Sequence, residues 1–488
     1  MANVIVIGGG VAGLGTALEL SRSGHRVTVL ERDDTPMPGS ADEAFAWDRR
    51  GAPQVRHSHA FLARLVSLLR SRHLDVFEAL LAAGATELKF GDGLPDTMVD
   101  FTPEPGDAEL SMLACRRTTF EWVLRRAVLD DGLVDVRTGV AAIGFTSAQG
   151  AEGEPPTVTG VRLDDGAVLA ADLVVAAGGR RSVVPEWLAG IAAAPVAETT
   201  EDTGIVYLSR FYRLRPGAEL PPRAGAIGGD LGYVKYGVFI GDNGAFSITL
   251  ATPSPDDELR KLLTDPAVFD AAAGQLVAAQ PWLDGRSEPI TDQVHVMAGL
   301  LNRWREYVPD GRPVALGVVA VGDALLCTNP LYGRGCSTAF WTAHLLARTI
   351  GPAATEPLDL AAIATGYDAA IRAELEPWYR ATVTQDAEAR RVAEALLAGE
   401  NPDGEADDPR AFMRGVFRDG LLPALRTDQV VLRAFMRNFN LLTPPDALLT
   451  DADVSARVFA VWQDREHRPP EPELGPKHRS DLLELIAR

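Results

Sequence analysis

Val4, Ile5, Val6 and Ile7 follow one another without a polar break, the pattern of a strand covered on both faces. Glycines interrupt the run. From Val11 to Ser23 apolar residues return at helical spacing, and Gly24 is placed to end that helix. Arg26 to Leu30 (R-V-T-V-L) reads as a second buried strand, so residues 3–30 form a strand–helix–strand unit. Residues 35–60 carry Pro, Gly and charge and read as a loop excursion. His59 to Leu80 and Thr118 to Leu129 show helical periodicity, and Val134 to Val140 reads as a strand. Gly150 to Pro156 is a turn-rich hairpin tip, followed by strands at Val161 to Leu169 and Leu173 to Ala177.

The texture changes from Gly204 to Thr252. Runs such as I-V-Y-L-S-R-F-Y and F-S-I-T-L-A-T predict an antiparallel sheet. Val314 to Val321 returns to a buried strand, with a glycine-rich turn and a helix near Ser337 to Thr349 behind it. Residues 359–488 are mostly helical in pattern, broken at Asn401 to Pro409 and at the Pro-rich Arg468 to Pro476.

Composition narrows the partners. The 488 residues include 46% hydrophobic and 23% charged positions, and the formal net charge is −20. That sum argues against nucleic acid and anionic membranes as partners. The three cysteines, Cys115, Cys327 and Cys336, form no C-x-x-C pair, which fits a reducing compartment without a disulfide framework. No signal peptide and no apolar stretch of membrane-spanning length is seen, so a cytoplasmic protein is expected. His57 and His59 have no third ligand nearby in sequence, and no metal is expected.

The chemistry begins at Gly8-Gly9-Gly10-Val11-Ala12-Gly13, a G-x-G-x-x-G turn between strand and helix. Gly8 permits the tight turn, Gly10 lets a pyrophosphate approach the backbone, and Gly13 lets helix and strand pack closely. The helix start then offers free N–H groups and a positive dipole end to phosphates. Glu31, at the end of the second strand, stands where an acidic residue holds ribose hydroxyls, with Arg32 beside it. This motif does not separate NAD from FAD.

A second motif does. Gly322-Asp323-Ala324, then Asn329-Pro330-Leu331-Tyr332-Gly333-Arg334-Gly335-Cys336-Ser337, resembles the G-D-x(n)-P-x-x-G-x-G signature of flavin monooxygenases of the para-hydroxybenzoate hydroxylase and squalene epoxidase type. Gly51 to His59, Ala114-Cys115-Arg116-Arg117, Asp202 to Tyr207 and the 322–337 stretch are similar to the bacterial polyether (polyene) epoxidases, over roughly residues 3–350. The resemblance implies FAD, with Asp323 accepting hydrogen bonds from the ribityl chain and Pro330 forming a wall beside the ring. Gly333 and Gly335 would allow close backbone approach. The helix starting at Cys336 and Ser337 would aim N–H groups at the ring edge that becomes negative on reduction. Arg117 would contact the FAD phosphate or ribose. Arg49, Gln54 and His57 would sit on a loop covering the flavin, and Val140 would offer its backbone to the adenine. Arg334 has two readings, a charge near the ring or a solvated side chain.

The expected fold class is α/β: a Rossmann-type FAD-binding domain (residues 1–34, 105–190 and 300–352), an antiparallel β-sheet substrate domain (35–104 and 191–299) and a helical C-terminal region (353–488). One departure concerns the electron donor. Where related hydroxylases carry G-x-D-G-x-x-S-x-x-R, this chain reads from Ala176 to Pro185, with Gly178 at the aspartate and Pro185 at the final arginine. The departure weakens the case for direct use of NAD(P)H and brings in a separate flavin reductase as the other electron source, with Arg180 and Arg181 replacing some of the lost charge.

The expected activity is a monooxygenase that uses molecular oxygen through a flavin C4a-hydroperoxide to epoxidise or hydroxylate an apolar or aromatic small molecule. No protein acid or base is obligatory for that transfer, so no catalytic residue is assigned. Tyr207, Phe211, Tyr233, Tyr236, Phe239 and Trp341 are candidates for an apolar pocket. The alternative is an FAD-dependent reductase or dehydrogenase of isoprenoid-type substrates. A halogenase is disfavoured because W-x-W-x-I-P is absent. The C-terminal helices are read as packing over the substrate domain.

Overall fold

The unbroken apolar runs assemble side by side. In the computed structural model, which describes residues 1–221, 227–353, 357–402, 409–468 and 472–487, they form a five-stranded sheet. Its order is Val318–Ala320, Leu173–Ala176, Asn3–Ile7, Arg26–Glu31, Val134–Thr138. All four pairings are parallel, with Val4 opposite Val27 on one side and Leu173 on the other. Both faces are covered, which is why these strands need no alternation of polar residues. The helices Val11–Arg22 and Gly335–Ile350 pack against each other on this sheet. The contact is close because Gly15 faces the Phe340 ring, which a Cβ would meet at 3.3 Å.

The second layer is antiparallel. Gly228–Asp230, Lys235–Ile240, Ala245–Pro253, Ile205–Leu214 and Ser287–Pro289 pair in that order, and His295–Met297 adds to Ile205–Leu214. The register sets Ser209 opposite Thr249 and Phe211 opposite Ser247. A smaller sheet, Ala197–Asp202, Leu301–Glu306 and Leu326–Cys327, lies on the path between the two layers. The α/β class with a helical C-terminal region is what forms, and no helix among the described residues is long and apolar enough to cross a membrane.

Several boundaries differ from the sequence expectation. The run Val161 to Leu169 is two strands, Thr157–Leu163 and Val168–Ala170, because Gly166 turns with φ +87°. The helical stretch His59 to Leu80 becomes Ala63–Arg72 and Leu74–Ala82, broken at His73, whose ring turns inward to Glu19 at 3.2 Å. The strand expected from Val314 shortens to Val318–Ala320 because Gly317 takes φ +71°. Parts of the two C-terminal breaks, residues 403–408 and 469–471, lie outside the described residues.

The C-terminal helices do more than cover the antiparallel sheet. Leu360–Glu374 packs along Gly335–Ile350, and Tyr367 donates to the Ala320 carbonyl at 3.0 Å. The last segment, through Arg479–Ile486, lies on the antiparallel layer, where Leu482 joins the core, and Arg390 and Leu396 of Glu376–Leu397 meet that layer at Gly204 and Gly232. Tyr233 and Tyr236, expected in a pocket, instead donate to the Pro476 and Leu474 carbonyls of that segment. Trp341 likewise turns away, donating to Glu374 at 2.8 Å.

Candidate functional site

The first glycine turn is dictated by contact. Gly8 has φ +113°, and a Cβ there would lie 2.5 Å from the Ala177 carbonyl oxygen. A Cβ on Gly13 would lie 1.8 Å from the Gly8 oxygen, so strand and helix meet backbone to backbone. Gly10 differs. Its backbone is extended, it caps the Val11–Arg22 helix without a side chain, and nothing stands within 4 Å of where its Cβ would be. The helix start beside Val11 and Ala12 thus opens onto free space lined by main chain.

Glu31 closes one side of this turn. It accepts from the Gly9 and Asp33 N–H groups at 3.1 and 2.9 Å. Beneath it lies a buried charge network. Arg49, with its side chain 2% exposed, reaches Glu121 at 2.6 Å, Asp33 at 3.0 Å and Glu31 at 3.5 Å. Arg125 donates to the Gly9 carbonyl at 2.9 Å. Arg49 lies in the loop expected to cover the ring, with its guanidinium held against the glycine turn by three carboxylates. Val140 is half-buried and its N–H is taken by the Glu31 carbonyl at 3.1 Å, which leaves only its own carbonyl free to meet a ligand. Arg32 is exposed and Gln54 half-buried.

The second turn follows Val318–Ala320. Asp323 is half-buried; burial pushes its carboxyl up, against the pull of Arg117, Arg180 and Arg303. Gly333 takes φ +64°, and a Cβ there would meet the Ala60 side chain at 2.9 Å, which places the 57–60 segment against Pro330–Tyr332 and its glycine. Gly335 has nothing within 4 Å of its Cβ position. The buried Ser337 Oγ has no hydrogen-bond partner among the described residues. Arg334 is not solvated: it is buried between the Tyr332 and Trp378 rings, 4.7 Å from each centroid. Burial draws its guanidinium down to about 10.

Arg117 joins the two turns. Its guanidinium donates to the Cys336 Sγ at 3.3 Å and to Glu121 at 3.2 Å, and lies 3.4 Å from His59 Nε2. His59 Nδ1 lies 2.9 Å from the His57 carbonyl, so its neutral ring donates from Nδ1 and accepts at Nε2.

A cavity adjoins this junction, lined by His57, Ser58, Arg117, Phe211, Phe239 and Ser247. Its polar wall is a chain of hydroxyls. His57 Nδ1 meets Ser209 at 3.1 Å, Ser209 meets Thr249 at 2.8 Å, and Ser58 bridges Thr249 and Ser247 at 2.7 Å each. Arg180 is half-buried, with its charge felt at both His57 and Asp323, while Arg181 is exposed. The serines and threonine were missed in sequence. Ser247 and Thr249 alternate with apolar residues on Ala245–Pro253 and Ser209 pairs with Thr249 from Ile205–Leu214, but alternation alone does not say which face meets Ser58 and the 57–60 segment.

Burial, with His295 and Arg180, lowers His57 from 6.5 to about 3, and burial with Arg117 lowers His59 likewise. Both imidazoles are neutral in the folded chain where the unfolded chain would protonate them. Their contribution to stability is complete above pH 6.5 and is lost as pH falls towards 3. Thermal unfolding across that window is expected to show a falling midpoint in the wild type and a shallower fall in His57→Phe. Parallel curves for the two proteins would contradict this.

With this geometry in place, known proteins can be set beside it. A family model described as FAD dependent oxidoreductase matches residues 3–94. Over 503 residues the chain is 30% identical to protein Rv3254 of Mycobacterium tuberculosis, a match covering 96% of each. The chain belongs to the family of FAD-dependent oxidoreductases. The oxidoreductase is also 28% identical over 246 residues to the chloroplastic zeaxanthin epoxidase of Oryza sativa subsp. japonica, covering 49% of this chain and 31% of that one. PqsL of Pseudomonas aeruginosa, solved in complex with 2-aminobenzoylacetate, shares the fold with a TM-score of 0.57 at 18% identity, over 86% of this chain and 99% of that one.

The oxidoreductase's own atoms suit FAD. Two helix starts carry open glycines, Gly10 and Gly335, each a cradle that a side chain would fill. An unpartnered buried hydroxyl, Ser337, stands at the second. Asp323 lies among cations without a salt bridge of its own among the described residues.

Proposed function

We propose that this oxidoreductase is a monooxygenase that places one oxygen atom, as an epoxide or hydroxyl, on an apolar or aromatic small molecule. The observation that carries the reading is a small cavity whose lining includes Phe211, Phe239 and Phe246, set against the 57–60 segment that meets Gly333. Its phenylalanine side offers an apolar or aromatic guest a surface to pack on, and the hydroxyl wall from His57 to Ser247 offers polar contacts that orient it. The likeness to an epoxidase over 49% of the chain, and the aromatic ligand of PqsL, support the substrate class.

FAD, when bound, supplies the electrons that activate dioxygen. Gly8, Gly10, Val11, Ala12 and Gly13 hold the pyrophosphate, and Glu31 the ribose. Asp323 accepts from the ribityl chain. Pro330, Gly333, Gly335, Cys336 and Ser337 border the ring, and the positive end of Gly335–Ile350 stabilises negative charge there. Of the cavity's lining, His57, Ser58, Phe211, Phe239 and Ser247 fall within the substrate domain proposed for residues 35–104 and 191–299. The electron donor is NAD(P)H or a separate flavin reductase.

The test is turnover of candidate polyenes and aromatics with NADH, NADPH or a reductase, with and without oxygen. Product is expected only with oxygen and is expected to carry label from isotopic dioxygen. Efficient substrate conversion with oxygen excluded overturns the proposal in favour of a reductase or dehydrogenase.

A further inference from the structure

We infer that Asp386, on a C-terminal helix, is a positioning residue for the flavin: it holds the 329–334 loop in shape from outside both glycine turns. The inference rests on the FAD reading above. The helix Glu376–Leu397 carries Trp378, Thr382, Asp386 and Arg390 four residues apart, so all four share one face. That face lies along the loop.

Asp386 is 2% exposed and accepts three hydrogen bonds: from Asn302 Nδ2 at 2.7 Å, Asn329 Nδ2 at 2.9 Å and the Tyr332 hydroxyl at 3.0 Å. Asn329 is then held through every polar group of its side chain. Its Oδ1 accepts from the Leu331 N–H at 3.0 Å and the Tyr207 hydroxyl at 2.9 Å, while its own N–H donates to Asn302 Oδ1 at 2.7 Å. One helical turn earlier, Thr382 accepts from Arg334 at 2.6 Å, and Trp378 lies against the same guanidinium. One turn later, the Arg390 side chain fills the space beside Gly204, where a Cβ would meet its Cγ at 2.0 Å. Gly204 leads into the strand that carries Tyr207.

A buried carboxylate is costly unless its oxygens are hydrogen-bonded, and partly satisfied networks are worse than apolar packing. The donors to Asp386 come from the Leu301–Glu306 strand and from two points on the loop, so the cost is offset only when the loop takes this one shape. Apolar packing would hold the helix here equally well, but it would not select that shape. The loop runs directly into Gly335, Cys336 and Ser337, so a shift at Asn329 moves the helix start relative to the ring.

The experiment uses the full chain with FAD itself as the probe. Fluorescence titration reads affinity, and the visible spectrum and midpoint potential of the bound flavin read the ring's surroundings. Unfolding without FAD reads the fold. Asp386→Ala is expected to weaken FAD roughly tenfold or more, the loss that follows from hydrogen bonds to a charged group, and to shift the spectrum and potential. Asp386→Asn keeps an acceptor oxygen and is expected to recover part of both. FAD bound by Asp386→Ala within about twofold of wild type, with unchanged spectrum and potential, overturns the inference. If Asp386→Ala does not fold, Tyr332→Phe decides: a spectral and potential shift supports the inference, and none overturns it. Wild-type protein that takes up no FAD overturns the cofactor reading as well, which separates the two failures.

Discussion

Gly10→Val is expected to give a folded protein that does not retain FAD. The backbone at Gly10 is extended, so a β-branched residue fits its dihedral angles, and no protein atom lies within 4 Å of the new Cβ. The added methyl groups instead occupy the space at the start of Val11–Arg22, where a pyrophosphate approaches main-chain N–H groups. Loss of that approach is expected to weaken FAD by roughly a hundredfold or more, about 3 kcal/mol. The unfolding midpoint without FAD is expected to stay within about 0.5 kcal/mol of wild type, as for a substitution in open space. Gly13→Ala is the informative contrast. Its Cβ would fall 1.8 Å from the Gly8 oxygen, so that variant is expected to lose stability with or without cofactor. Flavin-fluorescence titration and thermal unfolding of both variants separate the two roles. Wild-type FAD affinity in Gly10→Val would contradict the placement of the pyrophosphate.

The second large effect lies beneath the turn. Glu121→Leu is expected to destabilise the protein by about 3–5 kcal/mol, because it strands buried arginines. Glu121 is fully buried, with Arg49 at 2.6 Å and Arg117 at 3.2 Å. Removing the carboxylate leaves Arg117 with no carboxylate partner within salt-bridge distance among the described residues and takes the shortest of the three ion pairs from Arg49. Arg126→Ala serves as the control. Its ion pair with Asp130 spans exposed side chains 3.7 Å apart, and its loss is expected to cost less than about 1 kcal/mol. Equal denaturation curves for the two variants would contradict the network's role. Because Arg117 also reaches Cys336, Glu121→Leu is expected to loosen FAD as well.

The parts of this site that were readable in sequence are those whose geometry is local. The order of Gly8, Gly10 and Gly13 follows from a turn a few residues long, and Glu31 ends the adjacent strand. Gly333 and Gly335 are likewise local to one strand-to-helix turn. Long-range choices were not readable. Arg49 lies in a loop, and nothing nearby in sequence says that Glu31, Asp33 and Glu121 will converge on it. The hydroxyl chain from His57 to Ser247 requires knowing which face of the antiparallel sheet receives the 57–60 segment. Tyr233 and Tyr236 belong to that sheet but meet the C-terminal segment through their hydroxyls. Asp386 is the hardest case. On its helix it is one acidic residue among many, and its role appears only when Asn302 and Asn329, brought in by separate segments, point their amides at it. Arg334 shows the same limit, since a charged residue beside a glycine turn gives no sign that two aromatic rings enclose it.

A single FAD is proposed to span both glycine turns. The most direct measurement is an experimental structure of the protein with FAD bound. The expected result is the adenosine beside Glu31, the pyrophosphate at Gly10 and the isoalloxazine against Gly333 to Ser337. A flavin whose ring lies away from that helix start, or a chain that binds none at saturating FAD, would contradict it.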